Sequence, residues 1–257
     1  MNGAFEVGAV ALRAQQQALE TIANNVANIN TPGFKRADVQ FAEIVTAPTA
    51  PITETERIAR EAVSLTGGVR FAARSMVSQP GELKATGAAL DFAIEGPGFV
   101  ELLGPDGTSL LWRGGHLEID RNGNLAAADG LALRALIAVP DDATNIVIAR
   151  DGVVSAQVSD GTKMDLGQIT LVRPESDADL IHMDSGFYRL TDGARARDAV
   201  PGEDGVGALV QGMIESSNVE LATAMVEMLL LQRAYSASAQ VVQTADQISS
   251  ITNNLKR

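Results

Sequence analysis

The sequence predicts an α+β protein. Paired long helices at the N- and C-termini form a coiled-coil-like assembly domain, and an all-β domain of short antiparallel strands is inserted between them. Three observations predict this. Residues 4–30 and about 217–255 each carry an apolar stripe at helical spacing. The chain between them is punctuated by tight-turn dipeptides, such as Asn122–Gly123, Asp129–Gly130, Asp151–Gly152 and Asp160–Gly161. At ~1.5 Å per residue the second helix runs about 55 Å, too long for short central strands to cover its stripe alone.

The elements follow in order. In the first, residues 1–33, Phe5, Leu12, Leu19 and Val26 recur every seven positions, and Ile22 and Ile29 fall three after two of them. Gly8 and Gln15 occupy the weaker equivalent places, so the stripe is thin at its start. Asn30–Thr31–Pro32–Gly33 ends the helix: proline disfavours helix at the residue before it, and glycine tolerates positive φ. Residues 34–66 mix charge, Thr and Pro without a period and read as an extended connector, with a short helix conceivable over Ile52–Leu65. Residues 67–200 read as the β domain. Its expected strands include Leu90–Glu95, Phe99–Leu103, Leu133–Val139, Asn145–Ile148, Val153–Val158 and Gln168–Val172, in a small barrel or sandwich. Residues 201–216 read as a turn-rich linker, and residues 217–257 as the second helix. Ser217 with Glu220 has capping-box spacing, and Asn218 is a rival N-cap. The second stripe is Val226, Leu230, Ala237, Val241, Ile248, Ile251 and Leu255. The two helices either satisfy each other within one monomer or also pack against other copies; their length and position favour other copies.

Composition narrows the function. The 257 residues are 46% hydrophobic and 20% charged, enough for a folded core. Aromatics make up only 4%, few for a sugar cleft or a base-stacking surface. A net charge of −12 and a pI near 4.6 argue against a nucleic-acid partner, because no local basic patch offsets the acidity. The absence of cysteine removes disulfides, thiolate metal sites and cysteine nucleophiles. The N-terminus lacks a basic n-region and a continuous apolar h-region, so no cleavable secretory signal is read there. Apolar runs such as Met228–Leu231 are far too short to span a bilayer.

No motif assigns a catalytic residue, a cofactor or a metal. His116 and His182 stand on separate segments and read as surface or satisfied structural residues. Asp120–Asn124 opens like a calcium loop but has glycine at the fourth position and Leu131 where a bidentate Glu belongs, so it reads as a hairpin turn. Gly205–Val206–Gly207 with Gly212 is spaced too widely for a dinucleotide fingerprint. An enzyme is not the expectation.

Three segments resemble the bacterial flagellar rod and hook proteins. They are Ala23–Lys35 (Ala-Asn-Asn-Val-Ala-Asn-Ile-Asn-Thr-Pro-Gly-Phe-Lys), Leu90–Phe99, and Gln211–Glu220 with Met225–Met228 and Gln232–Tyr235. The resemblance covers both ends and the middle, in order. It implies a paired terminal-helix domain with an inserted β domain, as the punctuation suggests. It further implies a structural subunit of the flagellar basal-body rod that polymerises helically with other copies. Adjacent rod proteins and the hook are the implied neighbours, with surrounding ring proteins possible. The implied location is the section of the basal body crossing the periplasm, reached by type III export without a cleaved signal. Length, Gln232–Arg233–Ala234–Tyr235 and Thr244–Ile248 are most similar to the distal-rod branch of the family; Ser185–Leu190 is more like the proximal-rod branch.

On this reading the assembly seam is Leu12, Leu19, Ile22, Val26 and Ile29 with Val226, Leu230, Val241, Ile248, Ile251 and Leu255. The turn motif is Asn25, Asn28, Asn30, Thr31, Pro32, Gly33 and Phe34. Its asparagines either cap and solvate a helix end or hold the turn and neighbouring subunits by hydrogen bonds. The competing class is a β-rich enzyme or binding domain with incidental helices, whose activity would survive loss of either end.

Overall fold

The computed structural model describes residues 2–43, 69–104, 107–183 and 186–255; for residues 2–6, 43, 69–70, 178, 249–250 and 252–255 only the backbone is described. Residues 44–66 of the expected connector, including Ile52–Leu65, lie outside the described residues, as does Ser185. So do the side chains of Phe5 and Leu255.

The fold is α+β with a β-rich body. Helix α1 spans Asn2–Ala27 and helix α2 spans Leu221–Leu255. Between them, strands β1 (Ala37–Glu43) and β2 (Val69–Ser75) form a two-stranded sheet. The chain divides into two compact units: residues 1–26, 37–74 and 220–257 make one, and residues 27–36 and 75–219 the other.

In the second unit, β3 (Leu83–Ala85) pairs with β17 (Met213–Glu215). Strands β4 (Asp91–Glu95), β7 (Gly114–Ile119), β8 (Leu125–Ala127) and β16 (Ala208–Gln211) form a four-stranded sheet in the order β16-β4-β7-β8. A six-stranded sheet orders β13 (Leu180–His182), β14 (Phe187–Leu190), β6 (Ser109–Trp112), β5 (Phe99–Leu103), β12 (Leu171–Pro174) and β15 (Ala196–Ala199). Strands β9 (Ala143–Ile148), β10 (Val153–Val158) and β11 (Lys163–Gln168) form a three-stranded meander. Every described pairing in these three sheets is antiparallel. Their inner side chains share one core, among them Phe92, Ile94, Leu102, Trp112, Leu117, Leu125, Val154 and Leu171.

The turn chemistry is local and legible. Asp120 Oδ1 accepts the backbone N–H of Asn122 (2.7 Å) and Asn124 (2.8 Å), closing the β7–β8 hairpin. Those bonds hold the Asp120 carboxyl below its usual range. Asp151–Gly152 and Asp160–Gly161 make the turns of the β9–β10–β11 meander, each glycine at φ 86°.

Four expectations are corrected. Leu133–Val139 is not a strand: Leu136 sits at φ 44° in a turn closed by Leu136 N–H to Leu133 O, leaving only isolated bridges at Leu133 and Ala138. Its apolar run supplies the buried Leu133, Ile137 and Val139 without a ladder. Residues 208–215, placed in a linker, form β16 and β17, paired with β4 and β3. Residues 37–43, placed in the connector, form β1. The second helix begins at Leu221 rather than residue 217. Its first turn is closed by Ala224 N–H to Glu220 O at 3.0 Å, and Asn218 is used elsewhere.

Candidate assembly surfaces and a buried ionic tie

Both helices are poor in charge. The 35 residues of α2 include only Glu227, Arg233 and Asp246 as ionisable acids or bases apart from Tyr235. On α1 the most buried line is Ala14, Ala18, Ile22 and Asn25. Leu12, Leu19 and Val26 flank it, half-buried, whereas Ile29, expected in the same stripe, lies past the end of α1 in the turn. The two helices touch where the stripe looked weakest. Gln15 Nε2 donates to Ser238 Oγ (3.1 Å), and a Cβ on Gly8 would lie 2.5 Å from Val242 Cγ2.

The inward line of α2 is Ala224, buried, with Met228, Leu231, Ser238, Val242 and Ala245, half-buried. It is not the stripe expected from the sequence. Val226 and Ile251 lie on the opposite side and Leu230, Val241 and Ile248 on a flank, and all five are 56% to 69% exposed. Met225 and Leu229 are exposed beside them. At ~100° per residue, these exposed side chains with Leu221 sweep roughly 200° of the helix surface.

The turn motif is held by specific bonds. Asn25, buried, pairs with both backbone groups of Ala37: its Nδ2 donates to Ala37 O (2.8 Å) and its Oδ1 accepts from Ala37 N–H (2.9 Å). Thr31 N–H donates to Asn28 O and Thr31 Oγ1 to Asn28 Oδ1, both at 3.1 Å. Asn30 and Pro32 are exposed. Gly33, at φ 70°, donates its N–H to Glu215 O at 2.7 Å. Phe34 is buried edge-on against His182, 4.9 Å between ring centroids.

The next residue carries the feature the sequence did not reveal. Lys35 is fully buried and donates to Glu215 Oε1 and to Gln79 O (3.0 Å). Glu215 also accepts from Gly81 N–H (2.8 Å) and from Arg113 Nε (3.1 Å) and Nη2 (3.0 Å). Arg113, 3% exposed, further donates to Gly98 O (2.6 Å) and Ile94 O (3.4 Å) and lies over the Phe99 ring. Burial pushes the Lys35 ammonium below its ordinary pKa of 10.5, against the pull of Glu215 and with a smaller push from Arg113. Asn218 completes the tie: its Oδ1 accepts Arg36 N–H (2.7 Å), and its Nδ2 donates to Met76 O (3.3 Å) and Gln79 O (3.0 Å). Lys35 and Glu215 each lie inside a recognised motif, but no local pattern says that they meet or that Arg113 joins them.

The remaining candidates have structural roles. His116 Nδ1 lies 2.6 Å from Asp91 Oδ1, and His182 packs between the rings of Phe34 and Tyr188. Among the described residues no group of three or more His, Cys, Asp or Glu could hold a metal ion. No described helix is long and apolar enough to cross a membrane.

A C-terminal helix that exposes a broad apolar arc, paired in sequence with an N-terminal helix across a β body, is a pattern that family comparisons can place. Family models agree on the placement. Residues 5–35 match the flagella basal body rod protein model, residues 93–156 the flagellar hook protein FlgE/F/G D1 domain, and residues 210–255 the flagellar basal body rod FlgEFG protein C-terminal model. The chain is 36% identical over 264 aligned residues to the flagellar basal-body rod protein FlgG of Borreliella burgdorferi, covering 100% of both chains. It is 32% identical to that of Bacillus subtilis, covering 94% of each. A flagellar hook protein FlgE of Rhizobium meliloti is 30% identical over 63% of this chain and 40% of its own length. The chain belongs to the flagellar basal-body rod protein family.

Proposed function

We propose that the chain is a structural subunit of the distal section of the flagellar rod, polymerising helically with other copies through its terminal helices. Proteins of the adjoining rod section and the hook are its axial neighbours, and ring proteins surround it. It acts by contact, without a cofactor, in the part of the basal body that crosses the periplasm, after export without signal cleavage.

The observation that carries this reading is the exposed apolar arc of α2. Removing one Val or Leu side chain from water is worth about 1.5–3 kcal/mol, and this helix leaves Val226, Leu229, Leu230, Val241 and Ile251 in solvent. A coiled-coil-like contact with α1 uses only the opposite side. One packed neighbour covers a stripe of roughly 100°, so an arc near twice that width calls for more than one further helix. A contact that joins unlike faces of identical subunits repeats into a helical filament wherever its rotation does not close a ring. Many such contacts stiffen a shaft that must carry torque.

Leu230→Asp and Val241→Asp test it. Each is expected to abolish swimming and halt rod growth while the purified variant keeps the far-UV spectrum and melting temperature of the parent. Normal swimming in both variants refutes the role given to α2. Micrographs of basal bodies from a strain lacking the gene test the position: a shaft that stops part-way supports the distal section, and a shaft missing altogether supports the proximal one.

A further inference from the structure

We propose that Arg233 forms an ion pair with Glu20 of a second copy of this chain when subunits pack, an inference that rests on the rod reading above.

Arg233 stands inside the exposed apolar arc of α2. At ~100° per residue it falls in line with Val226, Leu230, Ala237 and Ile251, whereas Glu227 and Asp246 lie outside the arc. Its neighbours three and four positions away along the helix are Leu229, Leu230, Ser236 and Ala237, so no acid on α2 is placed to pair with it. Among the described residues Arg233 makes no ion pair. In the free subunit it is exposed, and water solvates its charge. Covering the arc removes that water, and a buried guanidinium without an anion is costly. Whatever covers the arc must therefore bring a carboxylate.

The outer side of α1 carries one. Ala9, Arg13, Gln16, Glu20, Ala23 and Ala27 recur at alternating steps of four and three. All six are exposed, on the side away from the buried line of Ala14, Ala18, Ile22 and Asn25. The three alanines let another helix come close. Glu20 is the one acid in this line, and Gln16 Nε2 donates to its Oε1 (3.1 Å), which leaves Oε2 for a guanidinium. Within the chain, α1 meets α2 through Gln15 and Ser238, away from this line. An α2 arc laid on another α2 arc would supply no acid to Arg233. An α2 arc laid on the outer side of α1 does, and it joins unlike faces of identical subunits, as a filament requires.

Arg13 fixes the alignment. It stands seven residues before Glu20 in the same line, ~10 Å along the helix. A slip of two helical turns would set Arg13 against Arg233, cation against cation. A single polar or charged position in an apolar seam selects register in this way.

The chain contains no cysteine, so introduced cysteines report contacts between copies without background. Flagellated cells co-express two differently tagged full-length alleles, Ala237→Cys on one and either Gln16→Cys or Ala23→Cys on the other, and purified basal bodies are oxidised. These positions lie one turn from Arg233 and one turn to either side of Glu20, so both members of the ion pair are kept. A disulfide-linked dimer of the two alleles is expected with Gln16→Cys or with Ala23→Cys, according to the relative direction of the helices. In separate strains, Arg233→Glu and Glu20→Arg should each reduce swimming to that of a strain lacking the gene, and the double reversal should restore it. The absence of mixed dimers in basal bodies that contain both alleles, dimers between Ala237→Cys copies alone, normal swimming in the single reversals, or a double reversal that does not swim would each overturn the pair while leaving the rod reading intact. A chain absent from purified basal bodies would remove both.

Discussion

Lys35 and Glu215 meet as a fully buried ion pair, although 180 residues separate them in the chain. Glu215 is the shared anion, and the two cations depend on it unequally. Glu215→Gln leaves Lys35 and Arg113 buried side by side without a counter-charge, and should cost about 3–5 kcal/mol. Lys35→Met removes a cation and leaves Glu215 paired with Arg113, so its cost should stay within about 2 kcal/mol. Urea unfolding of the two variants checks the ranking. Equal losses would mean that Glu215 is not the hub.

Asn218→Ala removes three hydrogen bonds, to Arg36, Met76 and Gln79. At about 1 kcal/mol each, the loss should be roughly 2–3 kcal/mol. Far-UV helical signal in the folded variant should be unchanged, because Asn218 does not cap α2. Asn218→Asp keeps the acceptor for Arg36 N–H and loses both donors, so it should fall in between. A variant that frays the helix instead would restore the capping role.

Gly8 and Val242 set up a change of sign. Alanine is a better helix former than glycine by about 1 kcal/mol. At position 8, however, its Cβ would stand 2.5 Å from Val242 Cγ2. Gly8→Ala should therefore destabilise the parent and stabilise the Val242→Ala variant. A thermal-melt double-mutant cycle reads the coupling. The same sign in both backgrounds would show that the helices do not approach there in solution.

The Lys35 ammonium should titrate below 10.5, because burial disfavours its charge. In the unfolded chain it holds its proton up to the ordinary value. Between the two midpoints the unfolded state binds more protons, so this group makes stability rise with pH there and contributes no slope below the folded midpoint. Nitrogen-detected NMR of the Nζ resonance gives the midpoint, and Lys35→Met should remove the slope. A midpoint at or above 10.5 would contradict the burial argument.

What the sequence could disclose was local. Asn122–Gly123, Asp151–Gly152 and Asp160–Gly161 each supply a left-handed glycine and an Asx side chain within a few residues, so their turns are readable without the fold. The long helices were readable from periodicity, but not the phase of their contact. Alanines at 14, 18 and 224 pack as well as leucines where helices come close, so the buried lines ran through small residues instead of the large apolar ones. Gly8 and Gln15 looked like gaps for the same reason. The large stripe of α2 was detected, and it lies in solvent. Strand β16 was hidden because four residues between turn-rich stretches have no period to show; only its ladder with β4 defines it. Lys35, Arg113 and Glu215 came from three distant segments, and an ionic cluster of that kind has no spacing to detect.

Glu215 sits late in the polypeptide, and this has a bearing on quality control. A ribosome product that ended early would contain the turn at Gly33–Lys35 but neither the carbonyl that receives Gly33 N–H nor the anion that neutralises Lys35. Such a fragment could form the local Asn28–Thr31 bonds but could not tie its Gly33–Lys35 bend to the body. Incomplete chains are thereby left unable to present the finished shape.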